Sequence, residues 1–281
     1  MISGIIPIYD RSENLKKCLI SLNSQSLLLD EVVLSDDGSR DDIPSAVNEI
    51  LPELRFKIKY VRQEDKGFRA AKCRNNAVRE SKGEYLIFID QDIVLTRNYI
   101  RLFDERKREK TFLVAYPVRL TEDQTLKLTY DMIRDAKYHN LLFPRQIRKI
   151  RRQFFEDAFE YILKRLFRTR SYNPKLRSGV FGVFRGQLLQ VNGFDENYQG
   201  WGNEDDDLGR RFYRAGLIGQ NVFYDEFPLH LFHSEDQPKK ERANLEYYLQ
   251  RKVEIRNGDI RARNGISNPL GDDDIRVVAL N

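Results

Sequence analysis

The sequence predicts an α/β fold: a mostly parallel, Rossmann-like central sheet flanked by helices. Three observations predict it. Short apolar runs alternate with helical periodicity through the first hundred residues; Tyr85–Ile89 is apolar without interruption, as a strand buried on both faces requires; and the runs end in acidic or glycine-bearing turns. Ile2–Ile8 reads as the first strand. Asp10 and Glu13 then stand at capping-box spacing ahead of Leu15, Cys18, Leu19 and Leu22, which share a helical face. Glu31–Ser35 is a second strand, closed by Asp36-Asp37-Gly38-Ser39, with Ser39 and Asp42 suited to cap the next helix. Phe56–Arg62 alternates as a third strand, Phe68–Ser81 reads as a helix, and Tyr85–Ile89 is the fourth strand, running into Asp90-Gln91-Asp92. Strand, crossover helix, strand is the unit from which parallel sheets are built.

From about Lys127 to Tyr172 the pattern is helical and basic. Arg145, Arg148, Lys149, Arg151, Arg152, Lys164, Arg165, Arg168 and Arg170 interleave with Phe154, Phe155, Phe159, Tyr161 and Phe167. Beyond it come a strand over Gly179–Phe184, an acidic motif over Gly200–Leu208, a helix and a histidine-bearing segment. The tail from about Lys239 is polar, helical to Ile255 and then irregular. With no Pro/Gly/Ser linker between these parts, one domain is expected.

The chain has 281 residues, 41% hydrophobic and 32% charged, enough for a substantial core under a solvated surface. No apolar run approaches the roughly 18 residues that span a bilayer. The N-terminus lacks a basic segment and a small-residue cleavage site, so it reads as a strand rather than a signal peptide, and a cytoplasmic location is expected. Cys18 and Cys73 are distant and flank no motif, which excludes a disulfide framework or a cysteine zinc site. The net charge of +5 suits anionic partners without choosing among nucleotide, lipid headgroup and nucleic acid.

Ligands of open α/β sheets bind beyond the carboxyl ends of the strands. Asp90 and Asp92 exit a buried strand there and can approach one hard cation such as Mg²⁺ or Mn²⁺, although a solvated turn has the same residues. Asp37 could accept hydrogen bonds from a base or ribose, or serve the following helix as a cap. Gly200-Trp201-Gly202-Asn203-Glu204-Asp205-Asp206-Asp207 sets the only Trp beside four consecutive acids. An indole face stacks on a sugar ring, and one of these carboxylates could act as general base on a hydroxyl. His230 and His233 are metal-ligand candidates, His233 first; in extended chain they face opposite ways, so both reach one ion only if the segment turns. Lys66-Gly67-Phe68-Arg69-Ala70-Ala71-Lys72-Cys73-Arg74 puts cations at a helix start, which suits a diphosphate or an ordinary solvated helix.

Together these stretches resemble the family 2 glycosyltransferases, inverting enzymes of the GT-A fold. IIPIYDRSENLKKCLISLNSQ, EVVLSDDGSRD, GFRAAKCRNNAV, GEYLIFIDQDIV and GWGNEDDDLGRRFYRAG carry the resemblance, and the last also looks like the signature of β-1,4-galactosyltransferases and bacterial chondroitin-type polymerases. The resemblance implies a single GT-A domain: a nucleotide-sugar-binding half over 1–125, a basic helical insertion over 126–175, an acceptor and catalytic half over 176–238, and a tail over 239–281. It implies that Pro7, Tyr9, Arg11, Asp37, Arg69, Arg74 and Asp90 bind the donor. Asp92 with His233 and His230 would hold Mn²⁺ or Mg²⁺, Asp205 would be the catalytic base, and Trp201, Glu204 and Asp206 would hold the acceptor. The implied partners are a UDP-sugar and a saccharide or lipid-linked saccharide of surface polysaccharide synthesis. Peripheral contact with an anionic membrane through the basic insertion is expected, and nucleic acid is not. A nucleotidyltransferase is the competing enzyme class, but the glycine- and lysine-rich loop it would carry after the first strand is missing. A non-catalytic nucleic-acid- or membrane-binding protein built on the basic segment is the competing non-enzyme.

Overall fold

A computed structural model describes residues 1–167, 171–177, 179–234, 243–271 and 273–281. In chain order the elements are β1 (Ile2–Ile8), α1 (Ser12–Asn23), β2 (Glu31–Asp36), α2 (Ile43–Asn48), β3 (Lys57–Arg62), α3 (Ala70–Glu80), β4 (Tyr85–Ile89), β5 (Ile93–Leu95), α4 (Tyr99–Arg106), β6 (Thr111–Val114), β7 (Val118–Arg119), α5 (Glu122–Lys127), α6 (Tyr130–Arg134), α7 (Pro144–Phe167), β8 (Val180–Phe184), α8 (Arg185–Gln190), α9 (Glu204–Arg214), β9 (Ile218–Gln220), β10 (Pro228–His230), α10 (Leu245–Asn257) and β11 (Arg276–Ala279). Among the described residues the strands form an eight-stranded sheet, ordered β11-β3-β2-β1-β4-β8-β6-β9, and a three-stranded sheet, β5-β10-β7.

The first four strands of the large sheet run parallel, as expected. Their side chains alternate between two apolar layers, because successive residues of a strand point to opposite faces. Ile5, Val33, Leu86 and Phe88 meet Ala71, Val78, Leu208 and Phe212 on one side. Ile6, Leu34, Ile87 and Ile89 meet Leu15, Leu19, Val47 and Phe103 on the other. Parallel pairing brings the carboxyl ends of β1, β2 and β4 to one edge, where Tyr9, Asp37 and Asp90 begin the loops. The strand expected over Gly179–Phe184 is β8, inserted antiparallel between β4 and β6. Its leading residue therefore abuts that edge, and the Asp90 amide donates to the Gly179 carbonyl at 3.0 Å.

Some local expectations are corrected. Asp10 does not cap α1: Arg11 holds that place in a left-handed conformation without a side-chain cap, and the Asp10 carboxylate accepts instead from the Arg40 amide at 2.7 Å and from the Arg40 guanidinium. Asp42 caps α2 through the Ser45 amide at 3.1 Å, whereas the Ser39 hydroxyl accepts from the Asp10 amide. The helical stretch from Lys127 is broken between α6 and α7 by a short 3₁₀ turn over Lys137–Leu141. The tail past Ile255 is not wholly irregular, since β11 pairs antiparallel with β3 at the sheet edge. Four partly exposed residues give too little alternation to betray a strand. Arg168, Arg170 and Lys239 lie outside the described residues. Among the described residues no helix is long and apolar enough to cross a membrane.

Candidate active site

Three loops leave the carboxyl edge of the sheet together. Gln91 ties the first to the third: its side chain accepts from the Tyr9 amide at 3.0 Å and donates to the Tyr9 carbonyl at 2.9 Å. This residue was passed over in the sequence because an amide between two acids carries no distinctive signal. Pro7, near the end of β1, and Arg11 of the loop are half-buried, and Tyr9 is exposed, its hydroxyl 3.4 Å from Asp65. The second loop turns at Gly38, whose φ is +90°; a Cβ there would lie 2.4 Å from the Asp65 amide nitrogen.

The two acids of that turn divide. Asp36 is fully buried and accepts from the Gly38 and Ser39 amides and from the Tyr60 hydroxyl, so it holds the turn together. Asp37 is also buried, accepting from the Arg69 amide at 2.7 Å and from the Gln63 side chain. Burial pushes its carboxyl up to about 6 against those hydrogen bonds. The basic residues around the start of α3 are paired within the fold. Lys66, Arg69 and Lys72 converge on Asp273 of the tail at 2.7, 2.6 and 2.7 Å. Nothing in the local sequence links residues so far apart; the pairing of β11 with β3 carries Asp273 there.

Asp92 is buried beside the small sheet. The Leu231 amide donates to its carbonyl at 2.9 Å, fixing β10 against it. β10 ends at His230, and past the strand both imidazoles reach the same carboxylate. His233 Nε2 is 3.0 Å and His230 Nε2 3.6 Å from Asp92 Oδ2, and one ligand atom from each of the three residues lies within 4.8 Å of the others. Asp92 Oδ1 is buried without a hydrogen-bond partner among the described residues. Burial works to raise the Asp92 carboxyl, but the His233 hydrogen bond and the two imidazoles hold it below the usual carboxylate range. The hydrogen bond to Asp92 raises His233 in turn. Two nitrogens and an orphaned carboxylate oxygen are a donor set that fits a divalent ion.

The acidic motif enters from the other side. Gly200 and Gly202 take φ of 83° and 98°, and the Gly200 amide donates to the Phe68 carbonyl at 2.8 Å, pinning the Trp201 loop next to the start of α3. Trp201 itself is 54% exposed. The acids then form the first turn of α9, where negative charge meets the positive end of the helix dipole. Helical rotation of about 100° per residue gives each a different surrounding. Asp207 is buried on Arg211 at 2.6 Å, with the Tyr198 hydroxyl at 3.2 Å, and fixes the helix in place. Asp206 is held by Arg210 at 2.5 Å and by the Tyr248 hydroxyl. Asp205 is half-buried, one oxygen accepting from the Asp206 amide at 2.7 Å. Glu204 points inward, and its Oε2 has no hydrogen-bond partner among the described residues. Burial, with the neighbouring Asp205 charge, pushes Glu204 up to about 7.

Arg74 of α3 joins the two sides. Its guanidinium lies 3.0 Å from Asp90 Oδ1 and 3.5 Å from Glu204 Oε1, and stands over the Phe194 ring. A metal-ligand cluster, a strand-end acid and a turn of acids at a helix start thus share one edge of the sheet. Such an arrangement can hold an anion through a metal and present a carboxylate to an incoming hydroxyl. Burial pushes the thiols of Cys18 and Cys73 far up, so neither is a nucleophile.

A family model described as glycosyl transferase family 2 matches residues 3–174, and one described as the N-terminal domain of galactosyltransferase matches residues 161–233. Validoxylamine A glucosyltransferase of Streptomyces hygroscopicus subsp. jinggangensis is 30% identical over 232 residues, 77% of this chain and 52% of that protein. Chondroitin synthase of Escherichia coli is 29% identical over 231 residues, 79% of this chain and 33% of that protein. The chain thus spans about half or less of the length of these relatives. S. aureus TarS, solved in complex with UDP-GlcNAc, superposes with a TM-score of 0.60 at 18% identity, covering 95% of this chain and 68% of that one. GalNAc-T7, solved with UDP, GalNAc and Mn²⁺, gives 0.59 at 16% identity, covering 92% and 48%. These structures share the GT-A fold with the chain.

Proposed function

The chain belongs to glycosyl transferase family 2, and from that premise we propose that it moves a hexose or N-acetylhexosamine from a UDP-sugar to a saccharide acceptor, with inversion, in surface polysaccharide synthesis. The observation that carries this reading is the convergence on Arg74: its guanidinium touches Asp90 of the strand-end motif and Glu204 of the acidic helix at once. Residues 1–125 supply the nucleotide-sugar half and 176–238 the acceptor half, with 126–175 as an insertion and 239–281 as a tail. Asp37 receives the nucleoside, Pro7, Tyr9 and Arg11 line its loop, and Arg69 and Arg74 stand on the donor side. Asp92, His233 and His230 are the residues that would hold a divalent ion, Mn²⁺ or Mg²⁺.

When bound, that ion supplies neutralisation of the charge building on the departing diphosphate. Trp201 stacks on the acceptor ring, and Glu204 and Asp206 sit beside its hydroxyls. Asp205 takes the proton of the attacking hydroxyl. That oxygen bonds to the anomeric carbon from the face opposite UDP as the bond from that carbon to the phosphate oxygen breaks, so configuration inverts in one step. Positioning by the fixed helix and electrostatics at the strand ends supply most of the acceleration. UDP release across a panel of UDP-sugars and acceptors, with Mn²⁺ or chelator, tests the reading. Metal-dependent turnover is the expected result; a protein that binds no UDP-sugar would overturn it.

A further inference from the structure

Helix α7 carries a face that the catalytic reading does not use. Phe155, Phe159, Ile162 and Leu166 are 60, 62, 52 and 69% exposed, at spacings that keep them on one side of the helix. They form a stripe roughly 16 Å long at the α-helical rise. At its N-terminal end the stripe opens into a groove of about 720 Å³, with Ile147, Phe155 and Tyr224 as apolar walls and Arg148, Arg151 and Arg152 around them. Arg151 pairs with Asp225 and Arg152 with Glu156, both at the surface. Arg145, Arg148 and Lys149 have no carboxylate partner among the described residues. From Pro144 to Phe155 the helix bears five cations and no acid.

We propose that this face docks on an anionic lipid bilayer, the stripe entering the acyl boundary and the arginine-rimmed groove taking lipid phosphates. A basic end joined to an aromatic and aliphatic stripe matches an interface where phosphate charge overlies hydrocarbon. A second copy of the chain matches it poorly. The C-terminal half of α7 offers Glu156 and Glu160 against Lys164 and Arg165, no net acid to face five cations, and its Asp157 is buried. The N-terminal, arginine-rich end of α7 lies close to the proposed metal-ligand cluster. Gln146 of α7 donates to the Arg119 carbonyl at 2.8 Å, and Arg119 pairs with His230 across β7 and β10. The reaction centre would therefore sit near the membrane plane, within reach of an acceptor carried on a lipid. The docking inference itself stands apart from the assignment of donor and base.

Sedimentation with vesicles tests it, using phosphatidylcholine alone and phosphatidylcholine mixed with phosphatidylglycerol. The wild type is expected to bind the mixed vesicles, to leave them at high salt, and to ignore the neutral ones. Phe155→Ser/Phe159→Ser/Ile162→Ser and Arg148→Ala/Lys149→Ala are each expected to weaken binding by more than about tenfold. These side chains are exposed, so melting temperature and UDP affinity should match the wild type. Absence of wild-type binding to the mixed vesicles overturns the proposal. So does undiminished binding by the stripe variant, which would mark a general polyanion site, or a dimer that this variant dissociates while vesicle binding persists.

Discussion

Arg74 Nη1 lies 3.5 Å from Glu204 Oε1, across 130 residues of chain. With the 3.0 Å contact from Arg74 to Asp90, it joins the first turn of α9 to the strand end ahead of Asp92. Glu204 in turn depends on Arg74, because an arginine beside a buried carboxylate favours its ionised form.

That dependence sets a pH signature. Glu204 is pushed up to about 7 by burial and by Asp205, and opposed by Arg74. With the ionised form accepting an acceptor hydroxyl, kcat should rise as pH passes about 7. Arg74→Met removes the opposing cation and should move this limb to higher pH. Stability follows the same proton. The folded protein holds it more tightly than the unfolded chain, so the contribution of Glu204 is full below the ordinary 4.5 and is lost as pH climbs through about 7. Thermal melts of Glu204→Gln should lose that slope; a slope equal to wild type would exclude Glu204 as its source.

Asp205→Asn should lower turnover by about 10²–10⁴-fold while UDP affinity is retained. Isothermal titration with UDP beside a UDP-release assay separates the two. Normal turnover by this variant would remove Asp205 from the mechanism.

Chelation should abolish turnover, and Mn²⁺ should restore it. Asp92→Asn or His233→Ala should weaken Mn²⁺ binding by more than roughly 100-fold, since losing a ligand costs more than losing an outer partner. Direct titration of Mn²⁺ into the variants reads this without reference to activity.

Asp273→Ala should destabilise the fold by about 3 kcal/mol, because it leaves the near-buried Lys72 without a carboxylate and Arg69 with only Asp37 at 3.9 Å. Urea unfolding measures it. If β11 is held mainly by its pairing with β3, the loss will be under about 1 kcal/mol, as for a surface pair.

Much of the molecule was legible in one dimension. The buried run Tyr85–Ile89 reads as a sheet interior because a strand covered on both faces has no polar side to show. The carboxyl-end rule then puts Asp37, Asp90 and Asp92 at one edge of that sheet. Local chemistry was less legible. Asp10 at capping spacing was drawn instead to the loop of Arg40, whose hydrogen bonds a cap would forgo.

Periodicity and the order of short motifs suffice for the parallel sheet, its acidic edge and the family. Tertiary structure alone decided how each acid is held. Asp36, Asp37, Asp206 and Asp207 look alike in the sequence, yet Tyr60 engages the first, Gln63 and the Arg69 amide the second, Tyr248 the third and Arg211 the fourth. It also decided that His230 and His233 share Asp92, because the strand ends between them, and that Asp273 answers Lys66, Arg69 and Lys72. Each of these is a pairing between distant parts of the chain, and periodicity records only which face a residue takes, not which partner will be waiting there.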